Sequence, residues 1–356
     1  MAEPATGVAP VLLADHTTLR LGGPAGRFVV ATTEQELIDA VTQADGDGHP
    51  LLVLGGGSNL VVGDDGFAGT VVKVGTRGVR VDDSSAACGG VVVEVAAGEP
   101  WDDVVAMAVE REWVGIEALS GIPGSVGATP IQNVGAYGQD VAQTIASVRV
   151  WDRRLRGVRT FAAADCGFGY RWSRFKADPE RHVVLSVVFQ FRLGTLSAPV
   201  QYAELARTLG AEIGERAPLA DVRRAVLGLR RGKGMVLDAA DHDTWSAGSF
   251  FTNPVVDHAV VPEGAPAWPQ PDGTVKTSAA WLIEHAGFAK GYGPAGVHGS
   301  APVSLSTKHT LALTNRGGAA TADLLALARE IRDGVRARFG IELVNEPVMV
   351  GVSLEA

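Results

Sequence analysis

The first third of the chain switches repeatedly between short apolar runs and amphipathic stretches. FVVA at 28–31 predicts a strand, and Thr33 and Glu36 have the spacing of a capping box, which predicts a helix to about Asp45. LLVL at 51–54 is a buried strand that runs straight into GGGSN at 55–59. Further strands are expected over 70–74, 78–81 and 91–96. Pro100 then opens a helix with Val104, Val105, Ala108 and Val109 on one face. From 113 to 140 neither period holds, and so long a stretch without regular structure inside a compact domain points to function. Strands over 145–151 and 182–192 follow, then a helix over about 218–230. TSAAWLIEHAG at 277–287 and TADLLALAREIRDGVRARFG at 321–340 are amphipathic helices, each closed by a glycine. Strands over 311–315 and 343–352 finish a mixed α+β chain of three lobes.

Composition narrows the class. At 356 residues the chain is too long for one hydrophobic core, and 46% apolar with 20% charged residues is a globular balance. The net charge of −9 argues against a nucleic-acid partner, which needs a basic stripe. Of the two basic clusters, Arg153–Arg159 reads as a solvated hairpin, while Arg223–Lys233 is open to a role in binding. Cys88 and Cys166 form no CxxC pair, and no His or Cys spacing suits a metal. The first residues lack the basic and apolar regions of a signal peptide, and no run of about 18 apolar residues exists. A cytoplasmic protein is expected.

The 45 glycines cluster in GGGSN and in GIPGSVGATPIQNVGAYG at 121–138. GGGSN is open to two readings, a tight turn after a strand or a nest of backbone N–H groups that cradles a diphosphate, with Ser58 and Asn59 as added donors. It is not a Rossmann fingerprint, and the chain has no GxxxxGK[ST] loop. The 121–138 run carries Ile122, Val126, Ile131, Val134 and Tyr137 beside Gln132 and Asn133, which suits a segment wrapped around a flat cofactor. Two such loops favour a dinucleotide cofactor. Three polar residues in apolar settings keep alternatives open. Arg171 in FGYRWS is a stacked structural arginine or a functional one, and Ser249 in SAGSFFTNP is a backbone-bonded hydroxyl or a reactive one. Glu346 lies within the apolar C-terminal strand, facing outward or toward a site.

Together LGGGSN, GIPGSVGATPIQNVGAYG, FGYR, GSFFTNP, VKTSAAWLIEHAG, KHTLALTN and NEP resemble the UDP-N-acetylenolpyruvoylglucosamine reductase family, in its longer, loop-bearing branch, over roughly residues 17 to 352. The resemblance implies a two-part FAD-binding domain of the vanillyl-alcohol-oxidase-like type plus a third α+β substrate-binding domain. It divides the chain into 1–77, joined by the C-terminal strand 344–356, then 78–217, then the substrate domain 218–343. It implies non-covalent FAD, with NADPH as hydride donor, and a reaction in which hydride passes through the flavin N5 to C3 of an enolpyruvyl ether. Ser249 is then the acid that protonates C2, and Arg171 and Glu346 stabilise the enolate-like intermediate. Flavin contacts fall on Gly55, Gly56, Gly57, Ser58, Asn59, Leu60, Pro123, Gly124, Gly127, Ala128, Thr129, Gln132, Asn133, Gly135, Ala136 and Tyr137. The UDP-linked sugar falls to Tyr137, Tyr202, Arg230, Lys233, Asn253, Lys276 and His309, in an enzyme expected to be monomeric. Two stretches depart from the family pattern: the long glycine-rich 289–306, and the tail NEPVMVG, where Met349 leaves one flavin contact open. An oxidase on the same flavin fold and a flavin-binding regulator without catalysis are the rival readings. The absence of His and Cys from both glycine loops disfavours the tethered-flavin oxidases, and the joint presence of Arg171, Ser249 and Glu346 disfavours the regulator.

Overall fold

A computed structural model describes residues 10–82, 90–294 and 301–355. Cys88, the start of the N-terminal segment and positions 295–300 of the glycine-rich stretch lie outside the described residues. The chain forms two compact units, one of residues 1–27, 57–68 and 233–356, the other of 28–56 and 69–232.

In the second unit the capping box forms as the spacing predicts. Thr33 accepts from the Glu36 N–H and the Glu36 carboxylate accepts from the Thr33 N–H, starting the helix Glu34–Gly46. Leu51–Leu54 pairs in parallel with Phe67–Val74, Leu54 opposite Lys73, so the strand delivers Gly55 beside the Lys73 side chain. An antiparallel sheet runs in the order Gly157–Ala162, Ile145–Asp152, His182–Leu193, Gly90–Ala96, Val79–Asp82. Its inner face alternates as β-structure requires: Val91, Val93 and Val95 are buried and their neighbours are not. Helix Trp101–Glu110 covers this face with Trp101, Val104, Val105 and Ala108, and the Trp101 indole donates to the Leu119 carbonyl at 3.2 Å. A satellite cluster of Leu205, Ala206, Val222 and Val226 joins the helices Ala203–Leu209 and Leu219–Gly232.

The basic hairpin is exposed over Arg154–Arg156, Val158 and Arg159, as its composition suggests, and more ordered at Arg153. Arg153 reaches two oxygens of Asp45, and Arg181 grips the buried Asp152 at 3.0 and 2.8 Å. The 113–140 stretch is also more ordered than its lack of period implies. It holds the 3₁₀ turns Glu117–Leu119 and Val126–Ala128, the short helix Thr129–Gln132 and a two-residue hairpin pairing Gly135–Ala136 with Gln139–Asp140. Each piece is too short to build a periodicity.

In the first unit the helix Thr321–Phe339 packs Leu324, Leu327, Ala328 and Ile331 into a core with Phe250, Phe251, Leu282 and Ile283. Its N-terminal N–H groups are met from far away, since Thr321 and Ala322 both donate to the Asp64 carboxylate at 2.7 and 3.1 Å. The C-terminal strand is shorter than the apolar run and spans only Val348–Val350, parallel to Leu60–Val62. Glu346 therefore precedes the strand rather than lying within it, because Pro347 offers no ladder N–H. A small sheet of Val255–Val256, Val275–Thr277 and Ala267–Pro269 was not evident from pattern. No helix among the described residues is long and apolar enough to cross a membrane.

His182 makes a pH test of the second unit. Its side chain is 4% exposed, edge-on to Phe161 and Phe175, with Asp152 at 3.8 Å. Burial holds the imidazole below its ordinary pKa, although Asp152 pulls the other way. A lowered folded pKa means the unfolded chain takes up the proton first. Stability is therefore full above about pH 6.5 and declines as pH falls below it, until the folded imidazole also charges. His182→Phe should flatten that decline, read as urea midpoints between about pH 7.5 and 5; an unchanged slope would assign it elsewhere.

Candidate active site

The two glycine loops meet within the second unit. A Cβ on Gly55 would lie 2.5 Å from Ser125 Oγ, and one on Gly56 would lie 2.5 Å from Gly124 Cα. Gly127 is equally confined, 2.6 Å from Ala97 Cβ. These glycines let two backbones touch, a role distinct from admitting a ligand. Lys73 Nζ donates to the Gly55 carbonyl at 2.5 Å, and Arg77 lies close enough to repel it. Burial first, then Arg77, lowers the Lys73 pKa. Arg77 already faces Glu99, Nε to Oε2 at 3.9 Å, so Lys73 is the cation at this loop whose chemistry fits a phosphate.

The helix Thr129–Gln132 ends at Asn133 with φ +44°, and its side chain ties this turn to the FGYR element. Asn133 donates to the Gly169 carbonyl at 2.9 Å and accepts from the Ala142 N–H at 3.2 Å. Arg171 itself sits at φ +52°, Tyr137 at +51°. Non-glycine residues in this region are held there by their surroundings, and such strain gathers at functional sites. Arg171 Nη2 donates to the Gly135 carbonyl at 2.8 Å, so the guanidinium lies against the glycine run. Lys176 Nζ donates to both the Arg171 carbonyl and Gln132 Oε1, fixing the two segments together. Asp140 lies near this guanidinium, yet burial pushes its carboxyl above the ordinary range.

Tyr137 and Tyr202 meet edge-on with ring centroids 5.4 Å apart. Behind them, Asp102 accepts a bidentate pair from Arg223 at 2.6 and 2.9 Å and the Gly121 N–H at 2.6 Å. Burial opposes its charge, but Arg223 and that N–H outweigh it and hold the carboxyl low. Arg230 feels both Asp102 and Tyr137; desolvation brings its guanidinium down to about 10, so it stays charged at neutral pH.

The first unit gathers the other catalytic candidates. Phe250 donates to Leu311 O at 2.7 Å and accepts from the Glu346 N–H at 2.8 Å. Ser249, the residue before it, and Glu346 thus share one rigid frame built on the buried Phe250–Phe251 pair. Asn59 Nδ2 reaches the Glu346 carbonyl at 3.5 Å, and Val348 donates to Asn59 O at 2.9 Å. Gly57 takes φ +66°, where a Cβ would strike His16 O. Asn253 Oδ1 accepts from the Ala279 N–H, which leaves its amide donors for other partners, and Lys276 lies one strand over, opposite Val255.

One hub here was missed from sequence. Asp243, 3% exposed, accepts from the Thr307 N–H at 2.9 Å, from the Thr307 hydroxyl and from Arg316 at 2.8 Å, while its backbone abuts Gly234. It thereby ties the residue after Lys233 to the turn carrying His309. One of two aspartates in a polar DHD run carries no signal of this; neither does Glu117, a fully buried carboxylate in GIEALSG.

Comparison with known proteins decides the family. A family model described as UDP-N-acetylenolpyruvoylglucosamine reductase, C-terminal domain, matches residues 240–350, and an FAD binding domain model matches residues 25–156. The chain is 60% identical to the UDP-N-acetylenolpyruvoylglucosamine reductase of Cutibacterium acnes over 98% of its own length and 92% of that protein. The chain belongs to this reductase family of FAD-containing oxidoreductases. It is also 59% identical to the enzyme of the same name from Thermobifida fusca, covering 97% of this chain and 98% of that one. The crystal structure of UDP-N-acetylenolpyruvylglucosamine reductase from Thermus caldophilus shares the fold at TM-score 0.62 and 23% identity, over 97% of this chain and 99% of that one.

The loop contact yields a paired test. Gly56→Ala sets a Cβ against backbone that cannot rotate away. It should cost about 1–3 kcal/mol and lower the FAD bound per chain. Gly228→Ala, exposed in the helix Leu219–Gly232 with nothing within 4 Å, should add about 0.5–1 kcal/mol at full FAD content. Thermal midpoints and flavin absorbance measure both; equal behaviour would refute the contact's role.

Proposed function

We propose that this chain reduces the enolpyruvyl ether of UDP-N-acetylglucosamine enolpyruvate to UDP-N-acetylmuramate, a step of peptidoglycan precursor synthesis, with NADPH as the reductant. Family membership supports the substrate class. The observation that carries the chemistry is the Ser249–Phe250–Glu346 frame, a hydroxyl and a carboxyl anchored through one backbone hydrogen bond. Non-covalent FAD, when bound, relays hydride from NADPH to C3 of the enolpyruvyl group.

Hydride arriving at C3 pushes charge through C2 into the substrate carboxylate. Arg171, held against the Gly135 carbonyl, offers a fixed guanidinium to that charge, which is worth most where no reorganisation is needed. Ser249 delivers its proton to C2 and regains one from solvent. A hydroxyl is a weak acid in water, but a carbanion-like C2 is a strong base, so placement matters more than acidity. Tyr137, Tyr202, Arg230, Lys233, Asn253, Lys276 and His309 bind the UDP-sugar, the cations and amide donors meeting its diphosphate. Gly55–Leu60 and the 123–137 contacts hold the flavin. The division into 1–77 with 344–356, 78–217 and 218–343, a monomeric state and a cytoplasmic setting complete the proposal; the net charge of −9 supports the absence of a nucleic-acid partner.

Ser249→Ala tests it. FAD should bind at full stoichiometry and be reduced by NADPH at a near-normal rate in stopped flow. Reoxidation by the enolpyruvyl substrate should slow by at least about 10²–10⁴-fold, the usual worth of a general acid. Equal slowing of both half-reactions, or of neither, would remove Ser249 from the role.

A further inference from the structure

Glu117 has no exposed surface and, among the described residues, no cation hydrogen-bonded to it. Its carboxylate accepts three N–H groups instead: Gly115 N on one oxygen at 2.7 Å, and Gln139 Nε2 and Ala198 N on the other, both at 2.8 Å. A buried carboxylate is costly, and is tolerated when every lone pair it needs to share finds a donor. The positions of those donors say what the arrangement does. Gln139 follows the Tyr137–Gly138 turn of the tight hairpin, and its Oε1 accepts from the Ala118 N–H, locking the hairpin to the Glu117 turn from both sides. Ala198 begins the segment that leads to Tyr202. Its other edge is held by Ser197 and Val200, which bond to Ala217 and Glu215. At the hairpin turn, Gly138 and Gln201 touch so closely that a Cβ at 138 would lie 2.8 Å from that of Gln201. The two tyrosines then meet edge-on.

We propose that Glu117 is a positioning residue for substrate binding: one carboxylate oxygen, shared between Gln139 and Ala198, sets Tyr137 and Tyr202 relative to each other. The proposal rests on the reading that these two tyrosines face the UDP-sugar. Glu117 touches neither ring and acts only through the two backbones that carry them. Tyr137 needs such support, because φ +51° persists only where neighbours over-determine it.

Glu117→Gln keeps the volume but replaces one acceptor oxygen by a donor that faces an N–H. In the full-length FAD-loaded enzyme, KM for the enolpyruvyl substrate should rise about tenfold, as expected for one lost charge-assisted hydrogen bond. Reduction of the flavin by NADPH should be unchanged and kcat should stay within about threefold. Tyr202→Ala should itself raise KM, and adding Glu117→Gln to it should then raise KM by clearly less than the same change does alone, because only Tyr137 is left for Glu117 to place. If Tyr202→Ala leaves KM unchanged, the substrate-facing reading falls and this inference with it. If Tyr202→Ala raises KM while Glu117→Gln does not, or raises it equally in both backgrounds, the positioning role alone is overturned. Should Glu117→Gln fail to yield folded holoenzyme, Gln139→Leu keeps the bulk of the side chain and removes the bonds that join the Tyr137 hairpin to Glu117 and Ala118. The same KM rise supports the inference, and an unchanged KM overturns it.

Discussion

The second unit depends on two backbones touching where no side chain intervenes. Gly55 and Gly56 leave the strand Leu51–Leu54 and lie directly on Gly124 and Ser125. Any larger residue at 56 meets main chain, which has no rotamer to yield. The rest of the cofactor side is built outward from this approach. The Gly124 carbonyl takes the Trp101 N–H at the start of a core helix, and Val126 and Gly127 donate to Glu99 and Ala97. A glycine contact is thereby wired to the hydrophobic core within one turn of chain.

Within each unit, partly or fully buried carboxylates are met by fixed donors. Asp152 and Asp102 take arginine forks supplemented by N–H groups, and in each case these hold the carboxyl low despite burial. Asp243 combines an arginine with a threonine hydroxyl and N–H, and Glu117 uses N–H donors alone. Carboxylates satisfied by backbone N–H groups report on main-chain placement. They tie loops together at positions where an apolar side chain could fill the volume but could not choose among arrangements. Glu117 and Asp243 each sit behind loops that carry proposed substrate contacts, one in each unit.

The candidate chemistry was legible where short motifs carry their own geometry. Gly-rich loops, the FGYR arginine and the serine before two phenylalanines stand out because those residue types are unusual in such apolar company. The supports behind them were not legible, because Glu117, Asp243 and Asp102 acquire partners many positions away and no local pattern marks an acid whose donors come from elsewhere. Glu346 was misplaced for a related reason. Its apolar neighbours imitate a strand, and only Pro347 and the pairing of Val348–Val350 with Leu60–Val62 define where the ladder begins.

Local sequence by itself determined the elements whose stabilising interactions are also local. The Thr33–Glu36 capping box, the Pro100 helix start and the Gly340 helix stop all form within a few residues of chain, so their pattern is their cause. The tertiary structure decided everything whose partner is remote. The helix at Thr321 has alanine at its N-cap and is capped by Asp64; the 113–140 run takes its turns from contacts with Gly55, Gly169 and Ala198. Loop closure makes such contacts costly to form and invisible in a window of neighbours, which is why they specify the site only once the chain has folded.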